Sequence, residues 1–221
     1  MTWIKICGIT NLEDAQVAVD AGADAVGFVF YEKSPRYVSV ETVREIVAKL
    51  PEKVEKVGVF VDTPVMKADP ILRQTGLTMA QIYPKTMGEW LAWYEASALK
   101  LMLAIPRSVL EDESLVLFGT AEKRFSAILV DSGNEEQPGG TGRRFDWQSA
   151  KPAIRGMQCE MQIPAVIAGG LLPENVGEAI AILQPWGVDV ASGVEARPGK
   201  KDPEKVRAFV RAVREADRRV S

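Results

Sequence analysis

Histidine is absent from all 221 residues. That absence excludes serine–histidine triads, histidine zinc sites and histidine acid–base pairs. Cysteine is scarce: Cys7 and Cys159 are too few for a disulfide framework, which leads us to expect a reducing, cytoplasmic setting. Long apolar runs are missing too. The longest charge-free stretch near the apolar peak, Met161 to Pro173, falls short of the roughly 20 residues that a membrane span needs. The opening Met1-Thr2-Trp3-Ile4-Lys5 is too charged, and its apolar run too short, for a signal peptide. Neither sign of charge dominates, with 27 Lys and Arg against 30 Asp and Glu, a net −3. Neither a nucleic-acid coat nor an anionic membrane surface is therefore expected as partner. An anionic small molecule held by local donors still fits.

What is present is an ordinary globular balance, 47% hydrophobic and 26% charged, in a chain long enough to bury a core without staples. Short apolar runs alternate with longer amphipathic ones. The strand candidates are Trp3–Cys7, Asp24–Phe30, Val57–Val61, Leu77–Tyr83, Lys100–Ile105, Phe125–Asp131, Pro164–Ala168 and Val188–Ala191. Helices are expected over 12–21 behind Thr10 or Asn11, over 41–50 behind Ser39, and over 67–75 with Pro70 permitted only near the start. Others are expected over 87–97, within 107–124, in a short stretch after Asp146, from Pro173 to about Leu183, and from Pro203 behind Asp202. In the last of these, Val206, Phe209, Val210 and Val213 follow i, i+3, i+4, i+7, one buried stripe. Eight strand–helix pairs with no linker between them predict one α/β domain over residues 1–221. The architecture expected is a parallel eight-stranded (β/α)8 TIM barrel, with an open doubly wound sheet as the alternative.

In a barrel, chemistry collects where strands end and the following loops begin. Those positions hold Cys7-Gly8, Arg36, Gln81, Tyr83, Asp131, Gly169-Gly170 and Ser192-Gly193. Glycines after the seventh and eighth strands let backbone N–H groups approach a phosphate, with the helix start near Pro173 facing the same anion; a tight turn is the plainer alternative. Cys7 reads either as an inert core thiol or as a reactive group at a strand mouth. Asp131 follows the apolar run Ala127 to Val130, so it is either a loop cap or a carboxyl that keeps a proton and acts as an acid. Arg36 is either a solvated loop residue or a fork for a substrate carboxylate. Gly139-Gly140-Thr141-Gly142 lacks dinucleotide spacing, and Gly193 to Lys200 is no P-loop, because the spacing is too long and Lys201 replaces Ser or Thr. Cys159 lies in a polar, loop-like stretch and receives no functional reading.

Lys5-Ile6-Cys7-Gly8-Ile9-Thr10, Asp24 to Phe30, Ser34-Pro35-Arg36-Tyr37, Ala168-Gly169-Gly170-Leu171 and Ser192-Gly193-Val194-Glu195, in this order and spacing, resemble the phosphoribosylanthranilate isomerases of tryptophan biosynthesis. Gly139 to Gly142 with Phe145-Asp146-Trp147, Pro173 to Val176, Asp189-Val190 and Pro198 to Asp202 extend the resemblance from Lys5 to about Arg211. It implies a (β/α)8 barrel that rearranges N-(5-phosphoribosyl)anthranilate to the carboxyphenylamino-deoxyribulose phosphate, an Amadori rearrangement that needs no cofactor or metal. By the same resemblance Cys7 is the general base and Asp131 the general acid. Arg36 holds the anthranilate carboxylate, and Gln81 and Asp189 face the substrate. Gly169, Gly170, Ser192 and Gly193 take its phosphate. Oligomeric state is left open.

Two positions depart from the family pattern. Tyr83-Pro84 stand where the family usually has His-Gly, and Leu103 stands where a lysine commonly precedes Ala104. Both are expected to alter the pocket wall. They motivate a competing reading, a phosphate-binding barrel without activity. A second competitor is the related aminoaldose isomerisation of histidine biosynthesis, which would call for an aspartate where Cys7 stands.

Overall fold

The computed structural model describes residues 1–84, 100–111, 125–132, 145–160 and 162–220. The helix expected over 87–97 and the glycine-rich loop 133–142 lie outside them. The strands are β1 (Trp3–Cys7), β2 (Ala25–Val29), β3 (Glu55–Val61), β4 (Met79–Tyr83), β5 (Lys100–Pro106), β6 (Phe125–Asp131), β7 (Ala165–Ile167) and β8 (Gly187–Val190). They are parallel neighbours in sequence order, and β8 pairs back onto β1 with Asp189 opposite Lys5. This closure excludes the open sheet, which would leave two unpaired edges.

Period-2 alternation sorts the side chains. Val57, Met79, Met102, Ala127, Leu129 and Val166 fill the barrel interior. Ile4, Ile6, Val26, Phe28, Ile128 and Val130 face the helices. Both sets are buried, so each strand reads as a continuous apolar run.

Caps set most helix starts. Asn11 accepts from the Asp14 N–H ahead of the helix Leu12–Ala21, and Ser39 accepts from the Thr42 N–H ahead of Val40–Val47. Asp146 accepts from the N–H groups of Gln148 and Ser149. Asp202 Oδ1 accepts from those of Glu204 and Lys205 at 2.9 and 3.2 Å, opening Pro203–Val220. The predicted stripe of that helix is buried throughout.

Three expectations are corrected. The third helix runs Val65–Thr75 and carries Pro70 in its interior, where one N–H is missing from the ladder. The helix after Asp146 is not short but spans Trp147–Cys159, so Cys159 ends a helix rather than lying in a loop. Residues Arg107–Glu111 form a 3₁₀ turn, and the rest of the segment 107–124, within which a helix is expected, lies outside the described residues. The helix after β7 starts at Val176, not Pro173, because Asn175 is engaged elsewhere. Its side chain accepts from the Leu172 N–H at 2.8 Å and donates to the Gly170 carbonyl at 2.9 Å, holding the loop instead of capping the helix.

The ends of the barrel are tied together. The Trp3 N–H donates to the Trp186 carbonyl at 3.0 Å, and the two indoles stack with centroids 5.1 Å apart. Asp217 of the last helix accepts from Thr2 N–H at 3.0 Å and from the Thr2 hydroxyl at 2.6 Å. Arg214 donates to the Thr2 carbonyl at 2.6 Å and to Asp24 at 3.0 Å.

Candidate active site

A cleft opens at the C-terminal ends of the strands. Cys7, Arg36, Gln81, Asp131, Gly169, Gly170, Asp189, Ser192 and Gly193 all line it, so every site residue named from sequence meets at one place. Parity explains the convergence. Cys7 ends β1, Gln81 and Tyr83 sit two apart on β4, Asp131 ends β6 and Asp189 lies on β8, all on the phase that faces the axis.

Beneath Cys7 lies a lysine that sequence reasoning assigned no role. Lys5 is fully buried, and its Nζ donates to Asp189 Oδ1 at 2.9 Å. A Cβ on Gly27, on the neighbouring strand, would lie 2.9 Å from Cys7 Sγ and 3.1 Å from Lys5 Nζ. The glycine therefore leaves the space that thiol and ammonium share. The available signal was the i, i+2 spacing, which puts Lys5 on the same face as Cys7.

Charge governs this corner. Burial pushes the Cys7 thiol up from its ordinary value; the Lys5 ammonium pulls it back, Asp189 pushes it up again, and the net result stays raised. Burial works against the Lys5 ammonium, but Asp189 and Cys7 together leave it more basic than an ordinary lysine. At neutral pH the resting site thus holds a thiol, and the thiolate is a minor population.

Asp131 is buried, and its Oδ2 accepts from the Tyr83 hydroxyl at 3.3 Å; that hydroxyl in turn accepts from Gln81 Nε2 at 3.2 Å. Burial, then the charge of Asp131, pushes the Tyr83 phenol well above its ordinary value, so it stays protonated.

Arg36 is already engaged. Its Nε and Nη2 donate to the two carboxylate oxygens of Glu195 at 2.9 and 2.8 Å, and Lys201 Nζ donates to Glu195 Oε1 at 3.0 Å. Burial opposes the Glu195 charge, but the Arg36 fork and Lys201 outweigh it and hold the carboxyl below its usual range. Glu195 and Lys201 were also missed; a bidentate partner 159 positions away from Arg36 leaves no local signal. Among the described residues that line the cleft, Arg36 is the one cation.

The two glycine loops interlock. Gly169 and Gly170 adopt left-handed φ of 84° and 65°, and a Cβ on Gly193 would lie 1.9 Å from the Leu171 carbonyl oxygen. The start of the helix after β7 does not line the cleft; Ser192 and Gly193, in a 3₁₀ turn, do. Leu103 corrects another expectation. It packs in the helix-side core while Ala104 takes the inward phase, so it does not shape the pocket wall. Tyr83 does. Among the described residues no acidic or thiol cluster is arranged to hold a metal ion, and no helix is long and apolar enough to cross a membrane.

Residues 4–212 match the family model described as N-(5'phosphoribosyl)anthranilate (PRA) isomerase. The chain is 44% identical over 210 residues to an N-(5'-phosphoribosyl)anthranilate isomerase of Geobacter sp. strain M21, covering 95% of this chain and 97% of the relative. It superposes on the crystal structure of phosphoribosyl anthranilate isomerase from Thermotoga maritima with TM-score 0.83 and 38% identity, covering 97% of this chain and 100% of that one. A crystal structure of the enzyme in complex with reduced 1-(o-carboxyphenylamino)-1-deoxyribulose 5-phosphate matches with TM-score 0.81 and 38% identity, covering the same shares.

Proposed function

The chain belongs to the N-(5'-phosphoribosyl)anthranilate isomerase family, and from that premise we infer how its own residues carry out the Amadori rearrangement. The protein is an isomerase that converts N-(5'-phosphoribosyl)anthranilate to 1-(2-carboxyphenylamino)-1-deoxyribulose 5-phosphate in tryptophan biosynthesis. The observation that carries the assignment of roles is the meeting of Cys7 and Asp131 in one cleft, between Arg36 and the paired glycine loops.

Asp131, as general acid, gives its proton to the furanose ring oxygen; the C1′–O bond breaks and the anilinic nitrogen supplies the electrons of a Schiff base. The Cys7 thiolate then takes the proton from C2′, and the C2′–H electrons form an enolamine. Reprotonation at C1′ and loss of the C2′ hydroxyl proton give the ketone, so no atom or electron is left over. The Lys5 ammonium, held by Asp189, favours the thiolate that the step needs. Arg36, oriented by Glu195, faces the anthranilate carboxylate, Gln81 and Asp189 face the substrate's middle, and backbone N–H groups at Gly169, Gly170, Ser192 and Gly193 take the phosphate. A cytoplasmic enzyme folded as one barrel domain over residues 1–221 accords with this reading.

Loss of anthranilate-substrate fluorescence on turnover tests it. Cys7→Ala and Asp131→Asn should each lower kcat by about 10²–10⁴-fold, with KM little changed for Asp131→Asn. Unmodified protein that turns over no faster than Cys7→Ala would leave the inactive phosphate-binding barrel as the better reading.

A further inference from the structure

Lys201 is a fully buried lysine for which the reaction above has no use, and it does not line the cleft. Its Nζ donates to Glu195 Oε1 at 3.0 Å and to the Ala191 carbonyl at 3.1 Å. Glu195 is the carboxylate that Arg36 forks, and Ala191 leads into the turn of Ser192 and Gly193. One ammonium thus touches both the support of the guanidinium and the main chain of that turn. Arg36 alone would keep Glu195 paired, so satisfying this carboxylate does not call for a second buried cation, which is costly to desolvate. What the lysine adds is its bond to the turn. Its own backbone is fixed. Glu195–Arg197 and Lys200–Lys201 form a two-stranded antiparallel ribbon, too short to be stable alone. The Lys201 N–H pins it to the buried Asp14 Oδ2 at 2.8 Å, and the Thr10 hydroxyl donates to the Gly199 carbonyl at 2.6 Å. A Cβ on Gly199 would lie 2.8 Å from the Pro35 carbonyl oxygen, so the ribbon's tip abuts the loop that carries Arg36.

Resting on the isomerase reading, which puts the substrate carboxylate at Arg36 and its phosphate at the glycine loops, we propose that Lys201 is a positioning residue that sets the span between these two ends of the site. Nε and Nη2 of Arg36 are turned to Glu195. Nη1 and the second hydrogen of Nη2 are then the edge offered to the carboxylate. Through Glu195 and Lys201 that edge is fixed relative to Ala191, and so to the N–H groups of the turn that follows. Arg36 and Lys201 against Glu195 also leave one positive charge, which a single carboxylate neutralises. A ligand with two anionic ends gains from a fixed span. A ligand with one end gains nothing, because it settles at its own end whatever the distance to the other.

The test is Lys201→Met, which leaves Arg36 and Glu195 as a matched pair and strands no buried charge. Lys201→Gln, which keeps a donor but ends one bond short of both partners, is the second variant. Three ligands are titrated by calorimetry. Reduced 1-(o-carboxyphenylamino)-1-deoxyribulose 5-phosphate has both anionic ends; anthranilate and inorganic phosphate have one each. We expect both variants to bind the two-ended analogue at least about tenfold more weakly, a part of the roughly 10²–10⁴-fold that joining two binding ends supplies, with each fragment within about twofold. KM for phosphoribosylanthranilate should rise alongside, and kcat should fall by less. Fragment losses that multiply to the analogue's loss would make Lys201 a plain positive charge and overturn the proposal. So would an analogue that binds both variants as before. A loss of kcat at unchanged KM would also overturn it, and would tie Lys201 to Cys7 instead. Unmodified protein that binds the analogue without turning substrate over would end the isomerase reading alone, since the affinity ratio still decides the span.

Discussion

Cys7 sits in a conflict between solvation and charge. Burial and Asp189 hold its proton on, while the Lys5 ammonium draws it off. The net rise means that thiolate appears only as pH climbs through a value above the ordinary thiol. Alkylation by iodoacetamide should therefore accelerate with pH through a midpoint on the alkaline side, measured in a Cys159→Ser background because Cys159 is exposed. Lys5→Met removes the cation and leaves Asp189 uncompensated, so the midpoint should move further up and turnover at neutral pH should drop at least tenfold. Breaking a buried pair costs about 3–5 kcal/mol, so Lys5→Met paired with Asp189→Asn separates the electrostatic effect from unfolding. An unchanged alkylation profile in both variants would remove Lys5 from the account.

At the scale of elements, Asn175 shows how a loop is held without a cap. It ties the Gly170 carbonyl and the Leu172 N–H together. Asn175→Ala should raise KM several-fold with kcat nearly intact, because phosphate contacts act alike in ground and transition states; titration with inorganic phosphate as competitor would read the same loss. The same residue marks where sequence reading stops. Pro173 carries a helix-start signal, but the Asn175 side chain is committed to the loop three and five residues back, a local competition that the helix-start signal does not register. Strands were legible within a few residues because burial on both faces leaves continuous apolar runs in a closed sheet. The cleft residues were legible because strand ends are predictable and parity selects the inward phase. Leu103 was misread for want of that parity, since a strand one residue out of phase faces the helices. Glu195 and Lys201 were silent: a contact between Arg36 and a residue far along the chain is created by closure alone.

Closure is a property of the whole molecule. The last helix reaches back to the first strand through Asp217 and Arg214, both anchored on Thr2. Burial opposes the Asp217 charge, but hydrogen bonds from Thr2 leave its carboxyl below the usual range. A carboxyl depressed by folding contributes stability above its unfolded pKa, and that contribution disappears as pH falls through the folded value. Asp217→Ala should cost about 1.5–3 kcal/mol near neutrality. The gap in Tm from the unmodified protein should close below about pH 4, while kcat/KM at 25 °C stays unchanged, since the contact lies far from the cleft. A gap that persists in acid would mean that the loss is packing rather than charge.

The indole pair at the seam has an optical consequence. Two tryptophan transition dipoles 5.1 Å apart, with ring planes inclined by 26°, are coupled strongly enough to split their shared far-ultraviolet band. A circular dichroism couplet of paired positive and negative lobes then belongs to Trp3 and Trp186 together and to neither alone. One partner opens β1 and the other immediately precedes β8, so the couplet registers the joining of the first and last strands. The molecule thus carries its own colourless gauge of ring closure, readable during folding without a dye and without substrate.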